Sequence, residues 1–184
     1  MKTLILEVQK YKNMIKAVGP FDVYRETIGK LAGNGILLLA GDPPNPMTIG
    51  WGMIGEIWHM PIFTVLVRPT RYTFGLIEEA KDFTVCVLPE NFKKHLAICG
   101  TKSGRDMDKI KVCGFKLEKS THILTPYIGQ SEIHYECRIV HKHRLDPSAL
   151  DSAINEKYYQ TLDWHMVYYG EIMGTYINGE MVKW

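Results

Sequence analysis

Apolar residues along this chain gather in short runs broken by glycine and proline. Gly35-Ile-Leu-Leu-Leu-Ala-Gly41 predicts a buried strand, bounded by Gly33-Asn34 before it and by Asp42-Pro-Pro-Asn45 after it. The prolines make that second boundary a stiff turn, since proline fixes its own φ and biases the residue before it. A strand follows from about Met47 to Ile57, where Gly50, Gly52 and Gly55 mark a bulge or a close backbone approach. After Pro61, the β-branched and aromatic run Ile62–Val67 predicts another strand, ended by Arg68-Pro-Thr70. Thr70 then reads as the N-cap of a helix over Arg71–Ala80, with Tyr72 and Leu76, like Phe74 and Ile77, on neighbouring turns.

Asp82–Leu88 returns as a strand stopped by Pro89. Asn91–Cys99 carries Phe92, Leu96 and Cys99 on one helical face, and Gly100–Asp106 is a polar loop. Met107–Cys113 predicts a short helix closed by Gly114. Two long strands dominate the remainder, about Glu132–Arg144 and His165–Ile177. In the first of these, Ile133, Tyr135, Cys137 and Ile139 alternate with Glu132, His134, Glu136 and Arg138, the pattern of a half-buried strand. Between them, Pro147–Tyr159 has a helical composition with Pro147 suited to a first turn. Strands adjacent in sequence, with short helices only at connections, argue against a doubly wound sheet. The expectation is a mainly β chain with short helices, a closed or nearly closed antiparallel barrel that forms one domain over residues 1–184.

Composition narrows the function classes. With 22 basic and 20 acidic residues, net charge +2, nothing in the charge balance calls for nucleic acid or a membrane surface. Cys86, Cys99, Cys113 and Cys137 form no Cys-x-x-Cys pair, so they read as free buried thiols in a reducing cytoplasm. The start, Met1–Glu7, has too short an apolar run for a secretion signal. His141-Lys-His143 puts two imidazoles on one strand face but lacks the carboxylate and spacing of a metal motif, so no metal site is expected. Nucleophile-elbow, phosphate-loop and dinucleotide fingerprints are missing, and no catalytic side chain is assigned.

The candidate chemistry is concentrated in residues 45–73. Thr70-Arg-Tyr-Thr73 offers hydroxyls, a guanidinium and helix-start N–H groups to a phosphate; the plainer reading is a capped helix with a solvated arginine. Backbone groups beside Thr48, Gly50 and Gly52 can meet the polar edge of a heterocycle, with Trp51 and Trp58 against its face; otherwise both tryptophans are core and the glycines are barrel bends. Ser103-Gly-Arg-Asp106, with Lys109 beyond, is either a second set of anion donors or a solvated loop. His165 reads as structural.

In order along the chain, Asn45-Pro-Met-Thr-Ile-Gly-Trp51, Trp58-His-Met-Pro61, Arg68-Pro-Thr-Arg-Tyr-Thr73, Phe83-Thr-Val-Cys-Val87, Cys99–Lys109 and Gly170-Glu-Ile172 resemble the flavin reductase-like, FMN-binding split-barrel proteins, especially the flavoredoxin-type branch. The likeness covers about residues 15–178. It implies a six-stranded antiparallel split β-barrel, a homodimer and one FMN per subunit near the dimer interface. It implies that Asn45, Thr48, Ile49, Gly50 and Trp51 line the isoalloxazine ring. Arg71 and Thr73, with Tyr72 between them, would hold the phosphate, and Ser103 and Lys109 lie in a matching loop. The activity implied is electron transfer from NAD(P)H, or from a protein donor, through FMN to a small-molecule or protein acceptor. The alternative is an FMN electron carrier of the flavoredoxin type that does not oxidise NAD(P)H itself. Cys86 stands where relatives often carry asparagine, and Pro147–Tyr159 looks like an insertion able to reshape access to the flavin.

Overall fold

The computed structural model describes residues 15–178; Met1–Glu7 lies outside them. The strands are β1 (Ile15–Val18), β2 (Ile36–Ala40), β3 (Asn45–Ile49), β4 (Gly52–Ile57), β5 (Met60–Val67), β6 (Asp82–Val87), β7 (Leu117–Glu118), β8 (Tyr127–Ile128), β9 (Ile133–Arg144) and β10 (Met166–Asn178). The α-helices are α1 (Tyr24–Ala32), α2 (Tyr72–Glu79), α3 (Lys93–Thr101), α4 (Lys109–Val112) and α5 (Ser152–Tyr158), with single 3-10 turns at Glu90–Phe92 and Pro147–Ala149.

One antiparallel sheet runs β3-β2-β6-β9-β10-β5-β4, with β1 added on β10; β7 and β8 pair separately. β3 and β4 therefore lie at opposite ends of the sheet path, yet only Gly50 and Trp51 separate them in the chain. A two-residue link cannot span a flat sheet of this width, so the sheet must curl until its ends meet, which is a barrel split at one seam. The continuous strand expected over Met47–Ile57 is broken at that seam: β3 pairs with β2 while β4 pairs with β5. This break, and the addition of β1, is why the sheet has eight strands where the resemblance implies six.

β2 is apolar throughout because both its faces are covered. Ile36, Leu38 and Ala40 join the barrel core with Phe63, Val65, Phe83, Val85, Tyr135 and Tyr168. Leu37 and Leu39 join a second core with Leu96, Cys99, Cys113, Phe115 and Ile128, which fastens α3 and α4 to the outside of the barrel. That second core places the Gly100–Lys109 loop beside β3. Gly170 lies at a bulge between β10 and β9. A Cβ there would sit 2.5 Å from Phe83 Cζ and 2.8 Å from Cys137 Cβ, so only glycine lets β10 cross the core this closely.

Three local expectations change. Thr70 does not cap α2; the N-cap is Arg71, without a side-chain cap bond, and the Thr70 hydroxyl instead donates to Asp163. Trp58 and His59, both at φ 57°, form the two-residue β4–β5 turn, and Trp58 packs near His141 and Tyr169 rather than on a cleft. The polar face of β9 is buried too at its first half, at His134 and Glu136, though Arg138 on the same face is exposed. His134 stacks 3.7 Å from Tyr127 and 4.8 Å from Tyr176, and the fully buried Glu136 accepts the N–H groups of Thr121 and His122 at 2.8 and 2.7 Å. Alternation marks which residues share a face; the 119–128 segment that covers this face is invisible to it.

All four cysteines are free and buried. Among the described residues, no helix is long and apolar enough to cross a membrane, and no group of three or more His, Cys, Asp or Glu side chains is placed to hold a metal.

Candidate functional site

Two adjoining clefts open beside β3. The first, about 110 Å³, is lined by the start of α2 (Thr70–Thr73), by Met47, by Cys99 to Arg105 at the end of α3, and by Lys109. The second, about 130 Å³, is lined by Met47 to Trp51, Leu66, Arg68 and Arg71. Met47 and Arg71 border both, so the two clefts form one continuous track.

The first cleft is built for an anion. Among the described residues lining it are Arg71, Lys102, Arg105 and Lys109, and no carboxylate. Lys109 is only 3% exposed, and its ammonium donates to a single acceptor, the Cys99 carbonyl at 3.4 Å. Burial pulls its pKa below the usual lysine value; the neighbouring Cys99 and Cys113 oppose this and Arg71 adds to it. A buried ammonium with so little compensation is stabilised by an anion entering the cleft. Because no side chain caps α2, the free N–H groups of its first turn add to the positive field. Arg105 lies over the Tyr72 ring at 5.5 Å. Gly104 lets the loop close onto that ring: a Cβ there would fall 2.3 Å from Asn45 Oδ1 and 2.5 Å from Tyr72 Cδ1.

The second cleft has Met47, Ile49, Leu66 and Trp51 at its walls, and Thr48, Arg68 and Arg71 give it nearly as much polar as apolar surface. The Thr48 hydroxyl turns away from it and donates to the Leu96 carbonyl at 2.6 Å, tying β3 to α3. What Thr48–Trp51 can offer a ligand is therefore backbone. Trp51 has Tyr158 edge-on at 5.1 Å and His165 tilted at 5.0 Å.

The structure gathers nine of the ten candidate residues on this track. Arg71, Tyr72, Thr73, Ser103 and Lys109 line the anion cleft, and Thr48, Ile49, Gly50 and Trp51 line the second. Asn45 lies beneath, buried, donating to the Thr73 hydroxyl at 2.8 Å; it supports the site rather than lining it. Sequence reasoning missed Lys102, although it adjoins the Ser103 loop. It also missed Arg68 and its partners Tyr158 and Asp163, some ninety residues away, for which no local signal exists. A larger cleft, about 460 Å³, lies elsewhere, against Ile77, Ala80, Lys81 and Arg138–Lys142. Two of its cations are already paired, Arg138 with Glu171 and Lys142 with Glu78. We place the site at the smaller clefts because only there do uncompensated donors converge.

The family model described as the flavin reductase like domain matches residues 31–183. The chain belongs to the flavin reductase-like family. An uncharacterised protein of Archaeoglobus fulgidus is 30% identical over 105 residues, 56% of this chain and 59% of that one, so the chain spans less than two thirds of that relative's length. Among solved structures, flavoredoxin of Methanosarcina acetivorans is similar with a TM-score of 0.65 at 23% identity, over 81% of this chain and 71% of that one. Flavoredoxin of Desulfovibrio vulgaris (Miyazaki F) gives 0.63 at 21%, over 81% and 72%. An FMN-binding protein of Thermus thermophilus gives 0.64 at 19%, also over 81% and 72%. At such identities these likenesses speak for the fold, a mainly β antiparallel split barrel with short helices.

Proposed function

We propose that this chain is an FMN-binding oxidoreductase that passes electrons from NAD(P)H through FMN to an acceptor. The carrying observation is the track itself: a carboxylate-free cleft with four cations, one of them buried, joined at Met47 and Arg71 to a second cleft with Met47, Ile49, Leu66 and Trp51 at its walls. That donor set fits a phosphate at one end and a flat ring at the other. The family assignment and the FMN-binding Thermus thermophilus neighbour support FMN as the ligand.

FMN, when bound, supplies reversible acceptance of the two electrons of a hydride. Everything else is the work of this chain. Arg71 and Lys109 would neutralise the phosphate, with Thr73, Ser103 and the first-turn N–H groups of α2 as further donors. Asn45 holds the Thr73 hydroxyl in place. Backbone groups of Thr48–Trp51 would meet the polar edge of the ring and favour negative charge there, while Met47, Ile49 and Leu66 would exclude water. The chemistry FMN would supply asks no side-chain acid or base of this chain. Met53, Ile57 and Trp58 expose apolar surface along the β4–β5 edge, which supports a homodimer formed through that face. The free thiols favour a reducing, cytoplasmic setting.

Anaerobic addition of NADH or NADPH to the FMN-loaded protein is expected to bleach its visible flavin absorbance. Bleaching only when a reduced protein partner is added would contradict direct oxidation of NAD(P)H. It would favour an electron carrier, the second reading supported by the two flavoredoxin neighbours.

A further inference from the structure

Between β9 and β10 the chain makes an excursion through the Pro147–Ala149 turn and α5. None of the α5 residues is buried, and Tyr159, 3% exposed, is the buried anchor that follows them. The excursion returns to the barrel at the Trp51 cleft, where one side chain gathers it. Arg68 donates to the Asp163 carboxylate and, at 2.7 Å, to the Tyr158 carbonyl, and its guanidinium lies over the Tyr159 ring at 5.1 Å. Thr70 and Thr161 also donate to Asp163, at 3.3 and 2.7 Å. Asp163 therefore neutralises one of the two arginines of that cleft, leaving Arg71 to the anion. Arg68 is thereby held as a structural pin. The Tyr159 hydroxyl meets His165 Nδ1 at 2.8 Å, and His165 and Tyr158 together confine the Trp51 indole.

Resting on the FMN reading above, we infer that residues 147–163 form an acceptor-selecting wall at the Trp51 end of the ring cleft. Tyr158 is its selecting side chain, and the Arg68–Asp163 pair is the pin that holds it. Tyr158 stands edge-on to Trp51 just outside the cleft, where a planar acceptor stacking at the Trp51 end would meet it. A single-ring acceptor passes more readily than a fused-ring one. Tyr158 is 39% exposed and carries no part of the core, so its truncation leaves the barrel intact.

Two measurements test this on the full chain. In the first, protein-bound FMN is reduced anaerobically with stoichiometric dithionite and mixed with duroquinone (one ring) or menadione (two fused rings). Each quinone gains two electrons and two protons to become the hydroquinone, and the flavin is reoxidised. Tyr158→Ala is expected to raise the menadione-to-duroquinone rate ratio by about fivefold, about 1 kcal/mol of discrimination. An unchanged ratio in FMN-loaded Tyr158→Ala overturns the wall. In the second, trypsin cleavage after Lys157 is followed in wild type and Asp163→Ala. Release of the pin is expected to speed cleavage by about fivefold or more, since cleavage tracks local opening. An unchanged rate overturns the pin. Failure of wild type to bind FMN at all is a different result: it overturns the functional reading, and this inference with it.

Discussion

An Arg71→Ala variant is expected to bind FMN some ten- to a hundredfold more weakly than wild type, a loss of about 1.5–3 kcal/mol. The magnitude is that of a charge-assisted hydrogen bond removed from a partly enclosed site. Arg71 borders both clefts and, among the described residues, has no carboxylate within salt-bridge distance, so its charge is not already committed. Arg68, three positions earlier, shows the contrast: its guanidinium is bound to Asp163. Titration of flavin fluorescence gives the two dissociation constants. Equal constants would remove Arg71 from the phosphate grip. The variant is expected to keep its melting temperature, because Arg71 makes no side-chain cap on α2.

Acidification from pH 6.5 to 4 is expected to cost the folded chain about 3 kcal/mol through His165 alone, at about 1.36 kcal/mol per unit of pKa difference. Burial depresses the pKa of this imidazole from 6.5 to about 4, with Arg68 and Arg71 adding to the effect and Asp163 opposing it. Its folded value thus lies below its unfolded one. Above pH 6.5 both states are neutral and the stability is complete. Between 6.5 and about 4 the unfolded chain binds a proton that the folded chain refuses, and stability falls. The buried His134, also depressed by burial against the opposing pull of Glu136, acts in the same direction. Glu136 acts lower, as pH falls from the ordinary carboxylate range through its own depressed pKa: burial raises that pKa, but the His134 imidazole 3.8 Å away and hydrogen bonds from the Thr121 and His122 N–H groups outweigh this and lower it. Urea unfolding at several pH values measures the slope. His165→Gln, which keeps a partner for the Tyr159 hydroxyl but cannot titrate, is expected to flatten it. An identical slope in that variant would show that His165 is not the group responsible.

Much of this was legible in the residues, for physical reasons that differ between elements. β2, β5 and β6 announce themselves because strands buried on both faces must be apolar at nearly every position. The Thr70–Thr73 segment reads as an anion grip or as a capped helix with a solvated arginine, and Ser103–Asp106 with Lys109 as anion donors or a solvated loop. Only the packing of α3 and α4 against β2 shows them facing one cleft. The break at Gly50–Trp51 was hidden because glycine signals a bend without saying that the chain is changing its partner strand. Trp58 was misplaced because its composition fits an aromatic wall, whereas its backbone serves a hairpin turn. The Arg68–Asp163 pin joins residues 95 positions apart, a contact that no local pattern encodes.

The central claim is that the Arg71–Lys109 cleft grips the phosphate of a flavin whose ring lies along Met47–Trp51. Paired titrations of the wild-type protein with FMN and with riboflavin, which lacks the phosphate, test it most directly. The account predicts saturable FMN binding at one per chain, with riboflavin weaker by about a hundredfold or more, the value of several charge-assisted contacts. No binding of FMN, or equal affinity for the two flavins, would contradict it.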